Sequence, residues 1–152
     1  DARCIIEELG IDVPIGTEID VAVEPWSAES PRLYTMTVAS PAESASVHVG
    51  FRRIEIVDGV LMANGRPLKL RGVNRHDFHP ARGRALTIQD LHDDLRLMHH
   101  LNINAVRTSH YPPFPGFLEL CDRYGLWVVE ECDVETHGFE LVGWRNNPSD
   151  DP

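Results

Sequence analysis

The sequence predicts an α/β fold: the first part of a (β/α)8 TIM barrel, preceded by part of an antiparallel β-sandwich. Three observations lead there. Apolar residues alternate with period two up to about residue 57, and a strand–helix–strand–helix–strand rhythm follows. The third predicted strand of that second half, "LWVVEE", is apolar on both faces, as strands of a buried parallel sheet are. Each of these strands is followed at once by dense polar chemistry: "NRHDFHP", then "SHYPPFP", then "CDVETHG". Chemistry at the C-terminal ends of successive parallel strands is the barrel arrangement. A doubly wound nucleotide fold would instead carry G-x-G-x-x-G or a phosphate loop, and the chain contains neither.

In the first half, "EIDVAVE" sets Ile19, Val21 and Val23 against acidic and small residues. "RLYTMTV" sets Tyr34, Met36 and Val38 against Leu33, Thr35 and Thr37, and "SVHVGFRRIEIV" alternates again. The breaks "PWSAESP" and "SPAESAS" separate them. Three or four strands are too few to close a sandwich alone. A unit boundary is placed near residue 57, giving 1–57 and 58–152. Asp58-Gly59 and Asn64-Gly65 are hairpin-turn dipeptides. "LKLRGV" is read as the first barrel strand. "TIQDLHDDLRLMHHLN" is read as a helix capped by Thr87, with Asp90 as capping-box partner and Ile88, Leu91, Leu95 and Met98 as its apolar stripe. "INAVRTS" is the second strand. "GFLELCDRYG" is the second helix, packing through Phe117, Leu118, Cys121 and Tyr124 and ending at Gly125.

Composition narrows the function. The 152 residues are 42% hydrophobic, enough for a core, and carry a formal charge of −10. That charge argues against nucleic acid or an anionic membrane as partner. No apolar run reaches the roughly 18 residues of a membrane span. Three cysteines, Cys4, Cys121 and Cys132, imply reduced thiols and a cytoplasmic location. The start "DARCIIEELG" has neither initiator Met nor signal-peptide layout, so the chain reads as an excised piece of a longer protein.

The polar clusters leave alternatives open. Glu135 and His137 lie two apart, on one side of an extended backbone. They fit either a carboxylate–imidazole hydrogen bond or two ligands of a hard divalent cation such as Mg²⁺. Cys132 and His137 do not make the spacing of a zinc site. His76 and His79 flank Asp77 behind Arg75, and by themselves read as a loop whose polar groups satisfy backbone ends. His110, three residues past Arg107 and held before Tyr111-Pro112-Pro113, fits a structural cap or a hydrogen bond to a hydroxylated ligand. Arg107 on a strand requires a carboxylate, with Glu130, Glu131 and Asp77 as candidates. Glu130, Glu131, Asp133 and Glu135 crowd one strand end. Glycosidase carboxylate pairs face each other across a substrate at about 5–10 Å, usually from different strands.

One stretch is more specific. "NAVRTSHYPPFPGFLELCDRYGLWVV", residues 104–129, resembles the signature of glycoside hydrolase family 2. "NGRPLKLRGVNRHDFHP" resembles the family's first barrel strand. "PWSAESPRLYTMTV" and "GFRRIEI" resemble the end of its preceding immunoglobulin-like β-sandwich domain. "ETHG" together with "GVNRHDFHP" is similar to the family's β-galactosidases more than to its β-glucuronidases or β-mannosidases. The resemblance implies hydrolysis of terminal β-D-galactosides such as lactose, with retention, by a Mg²⁺-dependent homo-oligomer in which Na⁺ is a second ion. It implies that Glu135 and His137 ligate Mg²⁺. It implies that His76 and His110 line the sugar subsite and stabilise the transition state, and that Arg107 is a buried active-site arginine. The family's acid/base and nucleophile glutamates match no residue here; both are expected beyond Pro152. The 152 residues alone are therefore expected to be inactive and marginally folded, with open sheet edges. A sugar-binding or complementing fragment is the non-enzymatic alternative.

Overall fold

A computed structural model describes residues 2–134 and 136–150. The N-terminal strands form a four-stranded antiparallel sheet in the order β2-β1-β3-β4, with β1 at Arg3–Ile6, β2 at Ile11–Pro14, β3 at Tyr34–Ala39 and β4 at Ser44–Val49. A 3-10 turn at Glu7–Leu9, closed by Gly10 at φ +66°, joins β1 to β2. In β3, Tyr34 is buried and Met36 half-buried on the face that carries Ile6 and Ile11, while Thr35 on the opposite face is exposed. The predicted alternation of β3 therefore matches its faces. Residues 18–24 do not match their prediction. They form no strand, Ile19 and Val21 are exposed, and only Val23 packs onto the small core. Alternation makes a strand only where a neighbour offers backbone partners, and this sheet ends at β2 and β4.

A separate three-stranded antiparallel sheet comprises β5 (Ile54–Val57), β6 (Val60–Ala63) and β7 (Arg66–Pro67). Both of its turns are the predicted dipeptides. Asp58 and Gly59 have φ +49° and +77°, and Asn64 and Gly65 have φ +49° and +76°. Two consecutive positive φ values are what a tight right-twisted hairpin requires. The Asn64 side chain also accepts from the Arg53 amide and donates to the Trp26 carbonyl.

The second half is parallel. β8 (Gly72–Asn74), β9 (Ala105–Arg107) and β10 (Trp127–Val129) form a sheet in the order β10-β9-β8. Two helices connect them: α1 (Ile88–His100) between β8 and β9, and α2 (Phe117–Tyr124) between β9 and β10. Three strands leave the sheet open, with no closed barrel among the described residues. The core lies between helices and sheet: Leu91, Leu95 and Met98 of α1, Phe117, Leu120 and Cys121 of α2, with Val106 and Leu126. Thr87 caps α1 with the full capping box to Asp90. Gly125 ends α2 at φ +75°.

Three sequence readings are corrected. Ile88 is exposed, outside the α1 stripe. In α2, Leu120 is buried and Leu118 is exposed, because residue 118 sits about 100° round the helix from Phe117 while residue 120 lies on its face. The first barrel strand begins at Gly72 rather than Leu68. The buried Asn104 side chain accepts from the Arg71 amide at 2.7 Å and donates to the Lys69 carbonyl at 3.0 Å. The Asn104 side chain thus supplements the segment's backbone bonds from Leu68 N–H to Leu61 and from Asn104 N–H to Arg71.

Candidate active site

Register brings the candidate residues together. Asn74, Arg107 and Val129 are opposite one another across the three parallel strands, so the segments that follow leave the same end of the sheet. Those segments carry Arg75–Asp77, Thr108–Tyr111 and Glu131.

Glu131 is the hub. Its carboxylate accepts from Arg107 Nε–H through Oε1 and lies 2.9 Å from His110 Nδ1 through Oε2. Its own amide donates to Thr108 Oγ1 at 3.0 Å, which fixes where the side chain starts. Burial pushes the Glu131 carboxyl upward, but hydrogen bonds from His110 and Arg107 and their charges outweigh it. The net result holds the carboxyl below its ordinary range. Of the three carboxylates the sequence offers Arg107, the structure selects Glu131; Asp77 belongs to Arg75. Within this segment the Arg107 side chain is 40% exposed.

His76 stands beside His110, with ring centroids 5.6 Å apart at 76°. The segment beneath it is firmly held. Asp77 pairs with the buried Arg75, accepts the Phe114 amide at 2.7 Å, and donates its own amide to Tyr111 Oη at 3.0 Å. Tyr111 Oη reaches His76 Nδ1 at 3.4 Å. Arg75 also pairs with Asp94 of α1 at 2.9 Å and lies over the Phe117 ring. His76, Asp77, Phe78, Arg84 and Tyr111 line an open cavity of about 400 Å³. The lining combines one imidazole, one phenol and one guanidinium with the Phe78 ring and a carboxylate, groups that suit a hydroxyl-bearing ligand.

Of the predicted metal pair, only His137 falls among the described residues. His137 opens a 3-10 segment, His137–Val142; its side chain is 79% exposed, with Nε2 3.1 Å from a Glu140 carboxylate oxygen. Glu135 lies outside the described residues. Among the described residues no group of three His, Cys, Asp or Glu side chains could hold a metal ion. The imidazole of His137 and the carboxylate of Glu135 remain donors of a type that suits a hard divalent ion with water. Sequence reasoning assigned no role to Tyr111 or Thr108. Their partners lie 35 and 23 residues away, and no local pattern signals such a pairing.

The three parallel strands, their two helices and the cluster at one end make up a segment of a parallel α/β sheet. Residues 54–152 match the family model described as "Glycosyl hydrolases family 2, TIM barrel domain". The chain belongs to glycosyl hydrolase family 2. It is 50% identical to a β-galactosidase of Arthrobacter sp. (strain B7) over 97% of its own length, and 46% identical to one from Actinobacillus pleuropneumoniae over 83%. It spans 15% and 13% of those relatives. Among solved structures, a Faecalibacterium prausnitzii β-glucuronidase aligns with TM-score 0.77 and 31% identity, over 86% of this chain and 23% of that one. A β-galacturonidase from Eisenbergiella tayi, bound to galacturonate, aligns with TM-score 0.75 and 35% identity, over 86% and 26%. No described helix is long and apolar enough to cross a membrane.

Proposed function

We propose that this chain is a segment of a retaining β-galactosidase. In this reading residues 1–57 are the end of an immunoglobulin-like sandwich, and residues 58–152 supply the first three strands of a (β/α)8 barrel. The observation that carries it is the convergence of three residues on one end of the parallel sheet, Arg107 and His110 joined through Glu131 and His76 beside the His110 ring. His76 and His110 bind hydroxyls of the galactose ring and strengthen those contacts as the transition state forms. Arg107 keeps positive charge beside the site, with Glu131 holding it in place. Glu135 and His137 hold a Mg²⁺ ion, which supplies fixed positive charge and ordered water. The two catalytic glutamates come from the remaining strands of the intact enzyme, a cytoplasmic homo-oligomer that acts on β-galactosides such as lactose.

A second reading, β-glucuronidase, is favoured by the alignment with the Faecalibacterium enzyme. The identity to β-galactosidases is higher, at 46–50%, and supports the first. Hydrolysis of chromogenic β-galactoside and β-glucuronide by the intact enzyme, with Mg²⁺ and with EDTA, decides between them. Preferred galactoside turnover that EDTA lowers is the expected result. Preferred glucuronide turnover rejects it. Hydrolysis by the 152-residue chain alone would reject the assignment of both catalytic glutamates to other segments.

A further inference from the structure

His76 and His110 are neighbours but are wired differently. Tyr111 Oη accepts the Asp77 amide, so its one proton is free to point at His76 Nδ1. Asp77 cannot turn away, because Arg75 and the Phe114 amide hold its carboxylate. A ring nitrogen that accepts carries no proton, so the neutral His76 ring bears its N–H at Nε2. His110 is the reverse. Its Nδ1 lies 2.9 Å from Glu131 Oε2, and an ionised carboxylate only accepts. The proton therefore sits on Nδ1, and in the neutral ring Nε2 presents a lone pair. Arg107 Nη2, 3.2 Å from the same Nδ1, asks for the opposite tautomer. The closer, anionic oxygen decides, since the guanidinium is already paired with Glu131 through Nε.

We propose that Tyr111 and Glu131 are positioning residues that set His76 and His110 in opposite tautomers, so that adjacent rings offer one donor and one acceptor to a hydroxylated sugar. The inference rests on the reading of this cluster as a glycoside site. A hydroxyl donates and accepts and therefore satisfies both rings. A fluorine only accepts, and a deoxy position does neither. The pair thus reads ring hydroxyls by their dual character, where two identical donors would read them as acceptors only.

The test uses the intact enzyme and its Y111F and E131Q variants. For each, kcat/KM is measured on chromogenic β-galactosides carrying hydroxyl, fluorine or hydrogen at each ring position in turn. In the wild type, hydroxyl is preferred over fluorine by roughly tenfold to a hundredfold at the positions the rings contact, the scale of one unmade buried hydrogen bond. In E131Q that hydroxyl-over-fluorine ratio falls about tenfold at one position, because His110 Nε2 is no longer fixed as acceptor. In Y111F the fluorine-over-hydrogen ratio falls by a similar factor, because His76 Nε2 is no longer fixed as donor. Losses uniform across all three analogues in both variants overturn the tautomer assignment and leave the residues a structural role. Y111F keeps the ring on which Arg84 stacks, so the test survives if E131Q fails to fold. Failure of the underlying reading appears elsewhere, as a wild-type enzyme that turns over no β-galactoside.

Discussion

The indole of Trp26 stands edge-on to that of Trp127, ring centroids 4.8 Å apart at 88°. Trp26 is 3% exposed, and its Nε1–H donates to the Asp122 carbonyl of α2 at 2.8 Å. Its amide donates to the Phe51 carbonyl, and its carbonyl accepts from Asn64. One residue from the N-terminal half is therefore anchored to β10 and α2 through its side chain and to the β6–β7 turn through its carbonyl. The strand that leads to Glu131 begins at this contact.

Replacing that anchor should be severe. Trp26→Ala is expected to cost about 3–5 kcal/mol in the intact enzyme, through lost burial and an unfilled cavity. Trp26→Phe should cost less, keeping the edge-on ring but losing the bond to Asp122. Thermal unfolding checks both. Equal midpoints for the wild type and W26A would mean the two halves are not coupled here.

Gly125 and Gly116 make a paired test, since both have positive φ, +75° and +87°. A Cβ at Gly116 would meet nothing within 4 Å, whereas at Gly125 it would lie 2.3 Å from the Ala28 carbonyl oxygen. Gly116→Ala should therefore carry only left-handed backbone strain, about 1–2 kcal/mol. Gly125→Ala adds displacement of the Trp26 loop, about 1–3 kcal/mol more. Chemical denaturation of the two variants should separate them by that margin. Equal losses would show that the loop gives way freely.

These contacts mark where sequence stops being enough. Thr87 with Asp90, Asp58-Gly59 and Asn64-Gly65 act within three residues, and their structures follow from local chemistry alone. The parallel strands were recognisable from their apolar character and from the polar runs after them. The strand at residues 18–24 was misread because alternation says nothing of a pairing partner. Asn104 holding Lys69 and Arg71 spans more than 30 residues and leaves no trace in spacing. At the site, charge balance required a carboxylate for Arg107, and only geometry could choose Glu131.

The buried end of the Arg75 network gives a third prediction. Arg75 and Asp77 side chains are 7% and 13% exposed, while Asp94 is 47% exposed. Removing the buried partner leaves a desolvated guanidinium, so Asp77→Ala should cost about 3–5 kcal/mol. Asp94→Ala, where water can replace the lost charge, should cost less than about 1 kcal/mol. Unfolding of both variants checks the order. A costlier D94A would mean that α1, rather than the Asp77 segment, holds Arg75.

The cysteines should differ in reactivity by environment alone. Cys121 is fully buried between α2 and the sheet, and Cys132 is exposed. Burial, helped by the charge of Asp122, pushes the Cys121 thiol up to about 12. The attacking species is the thiolate, so at pH 8–9 Cys121 should stay unmodified by iodoacetamide in the native enzyme while Cys132 is alkylated. The sign of the linkage follows. Folding favours the protonated thiol, so its contribution to stability is complete below the ordinary thiol range, about 8.5. It is lost as pH rises through about 12. Peptide mass spectrometry after native alkylation reads the result site by site. Equal labelling of Cys121 and Cys132 would mean that α2 opens readily from the sheet. In that case the Trp26 anchor on Asp122 would not be holding the helix in place.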